Sequence, residues 1–324
     1  MQTNARAVRR KTNANAKGQG KGWLAAALIG LCAMILIAAA VSKLAGAVQP
    51  GGEEVEATPR PTLRLERADV DDNVDIGFLM ELIGTQEPKS PDMNLAGGEP
   101  TVLIYHTHTK EGYFPTDQYD YEPGDDWRCQ DDSMNVCVVG ERLAEDLRSV
   151  YGIEVIHDTT NHEPPKLATS YSRSLETMLY YKEKYPSITL FIDVHRDDYG
   201  QPVIPADYLV IDGHEVARIM FVVGTGKGAT GTGFDEMPDF TSNYALAKRL
   251  TEYLLKIDDS LARNIRVKAG RYNQHVSSTC LLAEIGHNGN TLEQALNAAD
   301  YLAAAIANAA GLQARQTGVL PLAP

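Results

Sequence analysis

The stretch TVLIYHTHTKE, Thr101 to Glu111, is an apolar β-branched run that ends abruptly in histidines and a carboxylate. The same form recurs in ITLFIDVHRD, Ile188 to Asp197, and in CLLAEIG, Cys280 to Gly286, where Glu284 interrupts an otherwise apolar strand pattern. Strands are predicted at Thr101–Tyr105, Ile153–Ile156, Ile188–Val194, Ala217–Val223, Ile265–Lys268 and Cys280–Ile285. Helices are predicted between them at Val138–Val150, Ser170–Tyr185, Ser242–Lys256 and Thr291–Ala310, the last with Leu292, Leu296, Ala299, Leu302, Ala303 and Ile306 on one face. Alternating strands and helices predict a single α/β domain with a mostly parallel central sheet flanked by helices. No internal repeat is evident.

In such sheets ligands bind beyond the carboxyl ends of the strands, where His106, His108, His195 and Glu284 fall. Two imidazoles and a carboxylate hold Zn²⁺ with a fourth position left for water, and a further glutamate can take a proton from that water. His108-x-x-Glu111 offers an imidazole and a carboxylate close together, and His195 adds the second imidazole, a set like that of zinc carboxypeptidases. Glu141, at the start of the next helix, is the alternative to Glu111; complementing the helix dipole is its ordinary role. His106 could also be a ligand but is read as a supporting or core histidine. Asp193 or Asp197 is placed to fix the tautomer of His195. Arg196 is read as a clamp for a substrate carboxylate. Glu284 is costly to bury without a cation, and burial raises its pKa toward that of a useful general base.

The rest of the chain supplies context. Residues 1–22 carry Arg6, Arg9, Arg10, Lys11, Lys17 and Lys21 with no acid, and 23–42 contain no charge over a length sufficient to span a bilayer. A cytoplasmic basic tail, one transmembrane helix and an extracytoplasmic remainder are predicted. Ala45-Gly46-Ala47 would also suit signal cleavage, but the apolar run exceeds an ordinary signal core. Residues 43–100, rich in Pro, Gly and Glu, read as a stalk with a short helix at Asn73–Thr85; 101–312 read as the catalytic domain and 313–324 as a disordered tail. Residues 1–48 hold seven basic residues and no acid, which leaves 23 Lys and Arg against 43 Asp and Glu outside. That excess of acid excludes nucleic acid as a partner. Cys129 and Cys137 lie close enough in sequence to pair in an oxidising compartment. The run GTGKGATGTG, Gly224 to Gly233, lacks the Walker spacing and the following helix of a nucleotide loop and reads as a flexible rim. No Gly-x-Ser-x-Gly elbow is present.

Over Val102 to Ala310 the sequence resembles the stage II sporulation protein P family. The resemblance is carried by IYHTHTKEGYFP (Ile104 to Pro115), HDTTNHEPP (His157 to Pro165), SYSRSLETM (Ser170 to Met178), IDVHRD (Ile192 to Asp197), FVVGTG (Phe221 to Gly226), RYNQ (Arg271 to Gln274) and LLAEIGHNGNTLEQA (Leu281 to Ala295). It implies a zinc-dependent peptidoglycan hydrolase of the engulfment septum, similar to N-acetylmuramoyl-L-alanine amidases and with endopeptidase activity. It also implies work on stem peptides and glycan alongside stage II sporulation proteins D and M. The resemblance carries the metal role onto His108 and His195 and the catalytic glutamate onto Glu284, and leaves Glu111 and Glu141 as alternatives. Two other readings are a peptide-only carboxypeptidase or endopeptidase and a non-catalytic scaffold that binds peptidoglycan.

Overall fold

Seven strands build the central sheet, and their order follows from which runs are apolar throughout. In β2 (Val102–Tyr105) and β7 (Ile219–Gly224) every residue is buried, and in β4 (Leu190–Asp197) all but the last, as strands covered on both faces require. A computed structural model describes residues 65–85, 93–200, 207–231 and 233–315. These residues fall in one unit, Pro59–Pro324. The predicted basic tail and membrane segment, half of the stalk and most of the C-terminal tail lie outside them. Among the described residues no helix is long and apolar enough to cross a membrane.

The remaining sheet strands are β1 (Ala68–Val70), β3 (Val155–His157), β8 (Ile265–Lys268) and β9 (Cys280–His287), and the order is β1-β8-β7-β9-β4-β2-β3. β9, β4, β2 and β3 run parallel, as do β1, β8 and β7, and the two blocks meet antiparallel at β7 and β9. A small antiparallel hairpin, β5 (Tyr208–Ile211) with β6 (His214–Ala217), stands apart. The sheet is thus mostly parallel, as expected, with one antiparallel junction that short apolar runs do not reveal.

Five helices surround it: α1 (Ile76–Thr85), α2 (Val136–Ser149), α3 (Ser170–Lys184), α4 (Phe240–Ile257) and α5 (Leu292–Ala309). Their starts are written locally. Asn135 caps α2 by accepting from Cys137 N, and Thr291 with Gln294 forms a reciprocal capping box on α5. Alternation along each strand divides the core in two. Ile104, Ile192, Val194, Leu281 and Ala283 pack with α1, α2, α4 and α5, whereas Leu103, Tyr105, Phe191 and Cys280 pack on α3. Phe191 and Leu103 are fully buried, each contributing about 2 kcal/mol by removal from water. Past β9 the α3 side bears only a small patch of Met220, Val222 and Leu282 with Tyr272, and no described helix contributes to it. That patch is buried all the same, with Tyr272 packed against it.

Two expectations are corrected. The boundary at Thr101 is too late: Ala68 pairs with Ile265 at the sheet edge, and Val74, Leu79 and Leu82 of the next segment are core residues. A three-residue strand, Ala68-Asp69-Val70, has too few positions to show a period. Cys129 and Cys137 are free thiols, each directed at a backbone carbonyl, of Asp131 and Thr109 respectively.

Candidate active site

β4 and β9 lie side by side in the middle of the sheet, and there His195 and Glu284 are register partners. Alternation puts Asp193 and His195 on the α3 side of β4, and Glu284 with Cys280 and Leu282 on the same side of β9. The loop after β2 brings His108 over them, with ring centroids 5.4 Å from His195 and the planes nearly perpendicular. Glu111 closes the group, its Oε2 3.2 Å from His195 Nδ1. Its backbone is locked to the start of α2, for Val136 N donates to Glu111 O at 3.0 Å.

The far nitrogen of His195 faces Asp193 Oδ1 at 2.9 Å. Asp193 is itself fully buried and held by Thr107, accepting from its backbone N at 2.8 Å and its hydroxyl at 2.6 Å. His195 thus lies between two carboxylates, Glu111 on one nitrogen and Asp193 on the other. Burial works against its charge, but the two acids outweigh burial and raise its pKa well above the ordinary histidine value. Glu111 feels the reverse balance: burial pushes it up, and His195, Arg196 and His108 together pull it down to about 2. His108 is held low, first by burial and then by the charge on His195. Burial drives Glu284 up to about 8, with Glu111 adding to the shift and His195 opposing it.

Among the described residues no three His, Cys, Asp or Glu side chains are already drawn in around a metal-sized point. The donor set nonetheless fits a cation. His108 Nδ1, His195 Nε2 and Glu284 Oε2 are buried polar atoms with no hydrogen-bond partner; for His195 Nε2 the neighbouring Asp193 oxygen is near but out of line. Orphaned atoms of this kind are costly and rare in a folded interior. Two imidazoles and one carboxylate, with an outer carboxylate behind one imidazole, are the donors zinc takes at catalytic sites.

Glu141 lies elsewhere. It is half exposed on α2, bound to His157 Nδ1 at 2.7 Å and to Arg148 at 3.2 Å. His157 Nε2 meets His106 Nε2 at 2.9 Å, and His106 Nδ1 donates to Val194 O at 2.9 Å. Two imidazole nitrogens at that distance must share one proton, so His106 and His157 are occupied with one another. Gly140 allows it: a Cβ there would come within 2.6 Å of His106 Nε2. The structure brings Glu111, and not Glu141, to His108 and His195.

Arg196 departs most from expectation. Successive residues of a strand point to opposite faces, which takes Arg196 off the face that bears His195. The buried guanidinium donates from Nε to Gly112 O at 2.9 Å and from Nη2 to Asp126 O, while its backbone N donates to Glu111 Oε2 at 3.1 Å. It is a positioning residue that braces the Glu111 loop, and its donors are spent on carbonyls that a substrate carboxylate would have to displace. Arg196→Met should lower stability by about 2–4 kcal/mol, because the carbonyls it satisfies are left buried and unpaired. Thermal melting beside zinc titration checks this: a substrate clamp predicts unchanged melting and a raised KM alone.

Several members of the site were not read from the sequence. Tyr171 packs edge-on against His108 with centroids 5.7 Å apart. Ser174, fully buried on α3, bonds the Thr107 hydroxyl at 2.8 Å. A serine on the inward stripe of an amphipathic helix was the available signal.

The fold is an α/β domain around a mostly parallel sheet, with histidines and carboxylates gathered near the ends of adjacent strands. The chain belongs to the stage II sporulation protein P family, whose model matches residues 51–307. Stage II sporulation protein P of Bacillus subtilis (strain 168) is 28% identical over 225 residues, which are 66% of this chain and 52% of that protein. The chain thus spans about half the length of that curated relative. Among solved structures it is similar to the N-acetylmuramoyl-L-alanine amidase AmiC2 of Nostoc punctiforme, at 17% identity and a TM-score of 0.37 over 66% of this chain and 98% of that one. An N-acetylmuramoyl-L-alanine amidase from Clostridium difficile 630 is similar at 14% identity and a TM-score of 0.38, over 66% of this chain and 95% of that one.

Proposed function

We propose that the protein is a zinc-dependent peptidoglycan hydrolase that cleaves the amide between N-acetylmuramic acid and L-Ala, and also peptide cross-links. In this reading residues 23–42 anchor it in the membrane with the catalytic domain outside, at the sporulation septum. Stage II sporulation proteins D and M are its proposed partners, by family. The observation that carries the reading is the convergence of His108, Glu111, His195 and Glu284, from three separate runs of sequence, on one face of the sheet at β4 and β9. Membership of the sporulation family supports the substrate.

His108, Glu111 and His195 would hold Zn²⁺, which when bound makes water a nucleophile near neutral pH and polarises the scissile carbonyl. Asp193, fixed by Thr107, lies 2.9 Å from the far nitrogen of His195 and supports positive charge on the ring. Arg196 holds the loop that carries Glu111. Glu284 takes a proton from the attacking water and returns it to the departing amine. Burial favours the protonated form of Glu284, which suits the return of the proton to the amine.

The test is mass spectrometry of the fragments released when the full chain, in mild detergent with zinc, is incubated with purified peptidoglycan. Free stem peptides, absent from a chelated control, are the expected product. Fragments cut only between amino acids would replace amidase by peptidase, and sacculi left intact even with the septal partner proteins added would overturn the enzyme.

A further inference from the structure

Beside the candidate centre a cavity of about 520 Å³ opens between α3 and the turn that precedes β9. Tyr171, Leu175 and Leu179 of α3 form one wall, and Phe234, Arg271 and Tyr272 the other. Tyr171 joins cavity and centre, for it packs edge-on against His108 on one side and Tyr272, at 5.6 Å, on the other. Leu179 is 49% exposed and Phe234 47%, so the walls present large apolar surface that an occupant would cover.

We infer that this cavity is the subsite for the peptide portion of the substrate, with Arg271 as the anchor for a peptide carboxylate; the inference rests on the function proposed above. The Arg271 guanidinium lies over the Phe234 ring at 4.5 Å, and its recorded protein hydrogen bond is a long one, 3.4 Å, to Glu236 O. No ion pair among the described residues includes it. A guanidinium stacked on an aromatic ring with its fork uncommitted is preorganised for a carboxylate. Glu176 lines the same cavity and disfavours a purely anionic ligand, so the occupant is a peptide bearing both a carboxylate and an ammonium group.

The subsite is also wired to the centre. Tyr272 and Asn273, on the cavity wall, both have left-handed backbones, with φ of 48° and 54°. Two consecutive non-glycine residues in that region are costly and persist only where the surroundings hold them. Asn273 Nδ2 donates to Tyr171 O at 2.8 Å and to Ser174 Oγ at 3.1 Å; Ser174 bonds Thr107, and Thr107 bonds the Asp193 beside His195. One buried chain of hydrogen bonds therefore runs from the cavity wall to Asp193, the charge partner of His195, and a peptide seated there is held in register with Glu284.

Binding separates this proposal from the activity. A synthetic stem peptide with free carboxylate and amine has no muramoyl bond to cut, so isothermal titration onto the full chain reads the subsite alone. The carboxyl-amidated peptide should bind about tenfold more weakly than the free peptide, the worth of one charge-assisted contact. Arg271→Ala should weaken the free peptide to the level of the amidated one and leave the amidated one unchanged, which also controls for folding. Glu176→Gln should do the same for the amine against its acetylated form. Equal binding of free and amidated peptides, or no saturable binding, overturns the subsite. A chain that digests peptidoglycan but binds no peptide sinks the subsite only, whereas peptide binding without digestion sinks the activity only.

Discussion

Glu284→Gln is expected to lower peptidoglycan turnover by at least about 10³-fold while zinc content stays at the wild-type level. The amide has the volume of the acid and keeps the hydrogen-bonding reach of the side chain, but it cannot accept a proton and return it. Burial already biases Glu284 toward proton retention, and its Oε2 has no protein partner to lose. The substitution therefore removes chemistry and spares structure, and melting should change little or rise, since a buried acid is replaced by a neutral group. Turnover measured as released stem peptide, with metal content of the same preparation, checks it. Wild-type turnover in Glu284→Gln would remove the residue from the mechanism.

The second large effect is expected of His195→Ala, which should abolish both stoichiometric zinc and activity. Loss of the ring leaves Glu111 and Asp193 facing each other as buried acids without the charge between them, so melting should fall as well, by the 3–5 kcal/mol typical of breaking a buried pair. Glu111→Gln should lose zinc in the same assay. Glu141→Gln should keep it, because Glu141 is tied to His157 and Arg148 on the outer side of α2. If Glu141→Gln loses zinc and Glu111→Gln does not, the assignment of the carboxylate is reversed.

How much of this could be read from the chain varies from element to element. The six longer strand runs and the five helices are legible because each carries its own period or an unbroken apolar run, and each is found within a few residues of its predicted place. His108, His195 and Glu284 are legible because each breaks or ends such a run. Three things are not. β1 is too short to carry a pattern, and its place is set by pairing with β8 nearly two hundred residues away. Arg196 follows a histidine at a strand end and so looks like a substrate clamp, but its guanidinium is spent on the carbonyls of Gly112 and Asp126, which lie far off in sequence and are brought to it only by the fold. The wiring from Asn273 through Ser174 and Thr107 to Asp193 consists of ordinary polar residues from four separate segments, and only the fold brings them together. The choice between Glu111 and Glu141 fails for a related reason. Both follow the first strand at plausible distances, and what separates them is the His106–His157 pair, which claims Glu141 for itself.

The central claim is that the runs around His108 and His195 close on one metal ion beside Glu284. An anomalous difference map at the zinc edge, from crystals of the zinc-loaded protein, tests it most directly. A single strong peak within ligand distance of His108, Glu111 and His195 is the predicted result. A peak at His106, His157 and Glu141, or no peak in crystals grown at saturating zinc, would contradict it.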